Sequence, residues 1–185
     1  MDRRTARTRK AIKSAYMDLL RKEQYSDITV KKLVEAADLN RSTFYLHYYD
    51  INAVFEELID EMFEDISQDI SDGKLGLEEI GQITGKMEQA VRSNSDYALL
   101  FTRGSDYPYF AQSMFSMMKK KVSPESLANL DLNDSDKEFL MTVISYMTCS
   151  LTGYMMKTCG KEEISEKFNL LKKYLYMPVL EKILY

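Results

Sequence analysis

The sequence predicts an all-α fold, and three observations carry that reading. Apolar residues recur at helical spacing along nearly the whole chain. No run of alternating β-branched residues is bounded by hairpin turns. Proline is scarce, with 3 copies, and none precedes Pro108, so nothing interrupts the first half of the chain. With 185 residues, 45% of them hydrophobic and 29% charged, the chain is long and apolar enough for packed cores.

The elements follow in order. A first helix is expected over Ala6 to Glu23, with Ile12, Ala15, Tyr16, Leu19 and Leu20 on one stripe. Thr29 caps a short helix through Ala37 that buries Val30, Leu33, Val34 and Ala37. Asn40 caps a second short helix from Arg41 to Tyr48, and Asp50 caps a long one over Ile51 to Ser71. Gly73, Gly76, Gly81 and Gly85 then mark a loop or hinge. Helices are expected at 77–94, 95–103, 108–122 and 124–130. Ser135 with Glu138 reads as a capping box for the longest helix, 135–159, closed by Gly160. A last helix starts near Glu162 and breaks or bends at Pro178. The expected division is a head at 1–50 and a helical body at 51–185.

Charge is distributed unevenly. The net charge is −4, yet residues 1–49 hold eleven Lys and Arg against six acids, leaving 14 basic and 23 acidic residues for the rest. A basic head on an acidic body suits a module that meets a polyanion. Arg3, Arg4, Arg7, Arg9 and Lys10 are followed by no apolar stretch, so no secretory signal is expected. Two cysteines exclude a disulfide framework and fit a cytoplasmic home. The uncharged run Phe139 to Met156 falls short of the roughly 20 apolar residues of a membrane span, and serines and threonines punctuate it. It reads as a buried or dimer-forming helix, with no membrane partner expected.

Two short helices joined by a three-residue turn behind a longer one make a helix-turn-helix, residues 29–48. If Phe44 and Tyr48, one turn apart, face the core, then Arg41, Ser42, Thr43, Tyr45, Leu46 and His47 face outward. Thr29 and Asn40 stand at helix starts, where free N–H groups favour phosphate.

The text "SDITVKKLVEAADLNRSTFYLHYYDINAVFEELID", residues 26–60, closely resembles the tetracycline-repressor (TetR) family. The matching features are Thr29-Val30, Ala36-Ala37 and Ser42-Thr43-Phe44-Tyr45-Leu46-His47-Tyr48. The run Leu39 to Tyr45 looks most like a branch common in low-GC Gram-positive bacteria. The likeness covers under a third of the chain. It implies a three-helix DNA-binding head and a C-terminal ligand and dimerisation domain. Position by position, it implies phosphate contacts from Thr29, Tyr45 and His47, base-edge contacts from Ser42, Thr43 and Leu46, and either from Arg41. Many members carry lysine where this chain has Ile51, which costs one phosphate contact. The implied function is a DNA-binding regulator, a repressor released from its double-stranded operator by a small molecule. The alternative is a coregulator acting through a protein partner.

In the body, Leu140, Val143, Ile144, Met147, Leu151, Tyr154 and Met155 form a stripe, and the opposite face is weakly polar too. Ile164, Phe168, Leu171 and Leu175 form another on the last helix. A homodimer interface is therefore expected through Ile144, Met147, Leu151, Tyr154, Phe168, Leu171 and Leu175. Phe101, Tyr107, Phe110, Met114, Phe115 and Met118 would suit a hydrophobic or aromatic effector, although such residues at helical spacing are more often core. No enzyme is expected. His47 is the only histidine, and Cys149 and Cys159 lie about 15 Å apart along one helix. Catalytic triads and zinc sites need clusters of such residues, so no cofactor or metal is expected.

Overall fold

The structure, a computed structural model, describes residues 3–70, 72–73, 80–104, 107–123, 132–171 and 173–174. Nine α-helices are described: α1 (Arg3–Leu20), α2 (Val30–Ala36), α3 (Arg41–Tyr45), α4 (Ile51–Ser67), α5 (Ile80–Ser93), α6 (Ser95–Gly104), α7 (Pro108–Lys121), α8 (Asp134–Thr158) and α9 (Lys161–Leu171). A short 3-10 turn at Tyr25–Asp27 was not foreseen. The helix expected at 124–130, and the break at Pro178, lie outside the described residues. The all-α reading holds.

The chain forms two compact units, Met1–Glu61 and Met62–Tyr185. The sequence reading opened the second unit at residue 51, the start of α4. In the structure α4 as far as Glu61 belongs to the first unit, where Val54, Phe55 and Ile59 are buried.

The first unit is built around one aromatic seam. Tyr16 of α1 and Tyr25 of the 3-10 turn each stack on Phe55, at centroid distances of 5.9 and 5.6 Å. Ile12, Leu20, Ile28, Leu33, Val34 and Phe44 complete the core. The expected stripe of α1 is largely the buried one, since a 3.6-residue period puts Ile12, Ala15, Tyr16 and Leu20 on one face. Asp50 caps α4 as expected, its Oδ1 accepting from the Ala53 N–H at 2.9 Å.

The second unit packs α8 against α6 and α7, with α5 beside α6 and α9. Phe63, Phe101 and Phe110 meet edge to face with centroids 4.8 to 6.3 Å apart. Met155, Ile164 and Phe168 form a smaller cluster between α8 and α9. Serine and glutamate tie α9 to α5, through Ser165, Glu88 and Arg92. After α4, Lys121 donates from Nζ to the Ile70 carbonyl at 2.8 Å and pairs with Asp72 at 3.0 Å, satisfying a carbonyl left open beyond the helix. Gly73 follows with φ of 64°, a left-handed turn that glycine accepts without cost from a Cβ.

Three local expectations are corrected. The cap of α8 is Asn133, which accepts from the Asp136 N–H at 2.9 Å, so the Ser135–Glu138 box is not used. Gly81 and Gly85 lie inside α5 rather than in a hinge. The face of α8 turned into the unit carries Met141, Ile144, Ser145, Thr148, Cys149, Thr152 and Met155, rotated from the stripe read in sequence. Small side chains there let helices approach closely, and both faces of α8 are apolar enough that periodicity does not separate them. By length and composition alone α8 could also cross a membrane.

Candidate nucleic-acid interface

Helix α3 has only five residues, so its pose depends on anchors. Phe44 is fully buried and Tyr48 nearly so, with rings 5.8 Å apart. That anchoring turns the next residues outward. Leu46 is 82% exposed and Tyr45 51%, the latter edge-on to Phe44 at 5.3 Å. Arg41 and Ser42 are exposed, while Thr43 and His47 are half-buried. The structure thus brings Arg41, Ser42, Thr43, Tyr45, Leu46 and His47 together on one short segment.

The helix starts behave differently from each other. Thr29 Oγ1 accepts from the Lys32 N–H at 3.3 Å, closing the start of α2. Asn40 occupies the cap position of α3 without a side-chain cap bond. Between the helices, Asp38 adopts φ of 52°, and the Leu39 N–H bonds back to the Val34 carbonyl at 2.9 Å. Aspartate is one of the few residues with a side chain that tolerates this left-handed geometry. Ile51, the departure from many TetR members, is half-buried at the start of α4.

The basic charge of the first unit is divided between two roles. Arg9 pairs with Glu57 and donates to the His47 carbonyl at 3.3 Å. Its guanidinium also lies 4.7 Å over the Tyr48 ring. Lys13 pairs with Glu57 at 3.2 Å and with Glu61. Partial burial alone would raise the Glu57 carboxyl, but Tyr48, Arg9 and Lys13 outweigh it and hold it below the usual carboxylate range. Burial, together with that same carboxylate, pushes the Tyr48 phenol far above its ordinary range. Lys32 is also engaged, with Glu23 at 2.6 Å, and Arg21 with Asp18 at 2.6 Å. Arg3, Arg7, Lys10, Lys22, Lys31 and Arg41 stand exposed. Sequence reasoning counted all these cations alike and missed Glu57. The signal was present as matched spacing, Arg9/Lys13 on α1 against Glu57/Glu61 on α4, each pair one helical turn apart.

In the second unit, Phe101, Phe110, Met114 and Met118 are buried in the core, and Tyr107 and Phe115 are half-buried. Two clefts of about 430 and 260 Å³ open elsewhere, along α5 at Glu88, Gln89 and Arg92, and between α4 and α5 at Asp65, Asp69 and Lys86. Of the residues assigned to a dimer, Ile144 and Phe168 are buried within the chain, Met147, Leu151 and Leu171 are half-buried, and Tyr154 is 63% exposed. Leu175 lies outside the described residues. The apolar residues open on α8 are Phe139, Val143, Tyr146 and Tyr154. Among the described residues no cluster of His, Cys, Asp and Glu is arranged to hold a metal.

No family model matches the chain. It is 26% identical over 124 residues, 64% of its length, to an uncharacterized HTH-type transcriptional regulator, YxbF, of Bacillus subtilis. The matched segment spans about a third, 32%, of that relative's own length. Among solved structures, Lin0861 from Listeria innocua superposes with a TM-score of 0.67 at 19% identity, covering 94% of this chain and 91% of its own. A TetR transcriptional regulator from Streptococcus agalactiae superposes with a TM-score of 0.59 at 24% identity, covering 90% and 94%. With a helix-turn-helix in its first unit and a helical second unit, the chain has the all-α fold of that TetR regulator.

Proposed function

We propose that the chain is a DNA-binding transcriptional regulator of the TetR type, and that it works in the cytoplasm as a homodimer without catalytic activity of its own. The observation that carries this is the exposure of Ser42, Tyr45 and Leu46 on a short helix whose Phe44 and Tyr48 are locked in the core. A helix entering the major groove needs that division, with polar or small groups forward and an apolar anchor behind. In this reading Thr29, Asn40, Tyr45 and His47 hold phosphates, Ser42, Thr43 and Leu46 meet base edges, and Arg41 serves either. The first unit, Met1–Glu61, would serve as the reading module and the second, Met62–Tyr185, as the regulatory one.

The face of α8 bearing Phe139, Val143, Tyr146 and Tyr154 supports a two-fold pairing, since large apolar groups there are open to solvent. Release by a hydrophobic or aromatic small molecule completes the reading as a repressor; of the lining read from sequence, Phe101, Phe110, Met114 and Met118 are packed in the core, and Tyr107 and Phe115 are the ones partly open. A gel shift against the DNA upstream of its own gene, at moderate salt and with random duplex as competitor, tests it. A retarded band that resists the competitor is the expected result. Binding no tighter than to random DNA would favour a coregulator that docks another protein.

A further inference from the structure

We propose that Arg9, gripped by Glu57, is a positioning residue that fixes the pose of the recognition helix and does not itself touch the nucleic-acid backbone. The DNA side of this rests on the function proposed above. The guanidinium joins three things at once. It donates to the His47 carbonyl just beyond α3, pairs with Glu57 on α4, and covers the Tyr48 ring that anchors α3. Carbonyls at a helix end have no partner within the helix, and Arg9 supplies one here. The residue comes from α1, so one side chain ties α1, the segment just after α3 and α4 together. Lys13, one turn further along α1, also grips Glu57 and reaches Glu61, which sets the register of α1 against α4.

Charge accounting points the same way. Arg9 is neutralised by a carboxylate and is half-buried, whereas Arg3, Arg7 and Lys10 lie exposed at i, i+4 and i+7 on another face of α1. A planar guanidinium serves a carbonyl, a carboxylate and a ring face together, which a lysine ammonium does not. Lysine at position 9 would keep the charge and lose the arrangement.

The test compares wild type with Arg9→Gln, Arg9→Lys and Glu57→Gln, the last nearly isosteric. The probes are a duplex that the wild-type chain selects from a random-sequence library, and a random duplex. Arg9→Gln, Arg9→Lys and Glu57→Gln should each weaken the selected duplex by roughly tenfold or more. The random duplex should keep its salt dependence, because no phosphate contact is lost. Two outcomes overturn the proposal: Arg9→Gln lowering the salt slope by about 0.9 on both duplexes, or Glu57→Gln tightening both, as removal of a negative charge alone would do. A second measurement needs no DNA. Hydrogen exchange at the His47 and Tyr48 amides, which bond to the Phe44 carbonyl, should quicken in Arg9→Gln and Glu57→Gln. Unchanged protection there also overturns the proposal. If wild type selects no duplex while protection still falls in the variants, the DNA reading fails and the positioning role stands.

Discussion

Tyr45 rests edge-on against Phe44 with centroids 5.3 Å apart, so one ring is buried while its chain neighbour looks out. That pair divides α3 into a buried anchor and an exposed face, the face proposed to meet DNA. Phe44→Ala should remove buried ring contacts at a cost of about 3–5 kcal/mol, enough to melt the first unit, and thermal unfolding would show it. Tyr45→Ala should leave the melting temperature near wild type while weakening every duplex alike. Ser42 and Leu46 substitutions should instead change which duplex is preferred, read by selection from a random library. Equal losses on all sequences from all three positions would contradict the division.

The turn between α2 and α3 depends on Asp38 at φ of 52°. Asp38→Gly should be neutral or stabilising, because glycine enters this region without a Cβ clash. Asp38→Val should destabilise by about 1–2 kcal/mol, since a β-branched side chain is disfavoured there. Urea titration of the two variants checks the order. Equal stability would mean that the turn relaxes out of the left-handed region.

Acid should loosen the first unit through Glu57. Folding holds this carboxyl below its unfolded value, so the folded state binds fewer protons there. The stability it contributes is fully present above the unfolded value of about 4.3 and is lost as pH falls through the lower folded value. Tyr48, Arg9 and Lys13 hold the carboxyl in its charged form, and Lys13 is shared with Glu61. Wild type should therefore lose more melting temperature than Glu57→Gln between pH 6 and acid. Parallel curves would remove Glu57 from the acid response.

The two cysteines should react at very different rates. Cys149 is fully buried on α8, its Sγ 3.3 Å from the Met114 Sδ, and burial pushes its thiol far above the usual range. Cys159, just past the end of α8, is half-exposed. Titration with a disulfide reagent should find one reactive thiol in the native chain and the second only on unfolding. Fast reaction of both would mean that α8 separates from α7 under native conditions.

The open face of α8 gives a prediction about assembly. Tyr154→Glu and Phe139→Glu place a charge on residues that the single chain leaves exposed, so neither should harm folding. Light scattering should show both variants shifted from dimer to monomer. A dimer unaffected by either would move the interface off this face.

Much of this was legible in the sequence because local chemistry dictates it. Phe44 and Tyr48 sit one turn apart and must share a face, which sends Tyr45 and Leu46 outward. Thr29 and Asp50 cap their helices through bonds to residues three positions on, well within the reach of local reasoning. The cap of α8 failed on the same logic, because Asn133 and Ser135 are both good capping residues and the sequence does not rank them. Which face of α8 turns inward was hidden for a different reason. Ile144 and Tyr154 are both apolar on a helix apolar nearly all round, so only the neighbours α6 and α7 select between them.

The sequence by itself determined the all-α class, the helix-turn-helix and its outward residues, since each follows from spacing within a few turns. Tertiary structure decided the rest. It turned Arg9 from one more cation of a basic head into the partner of Glu57 and of the His47 carbonyl. It also put Phe101, Phe110 and Met114 into the core, where the sequence had weighed an effector lining against core packing. The physical reason is common to both. A side chain's charge or apolar surface fixes what it needs, but which residue answers that need, across 48 positions for Arg9 and Glu57, depends on how the helices pack.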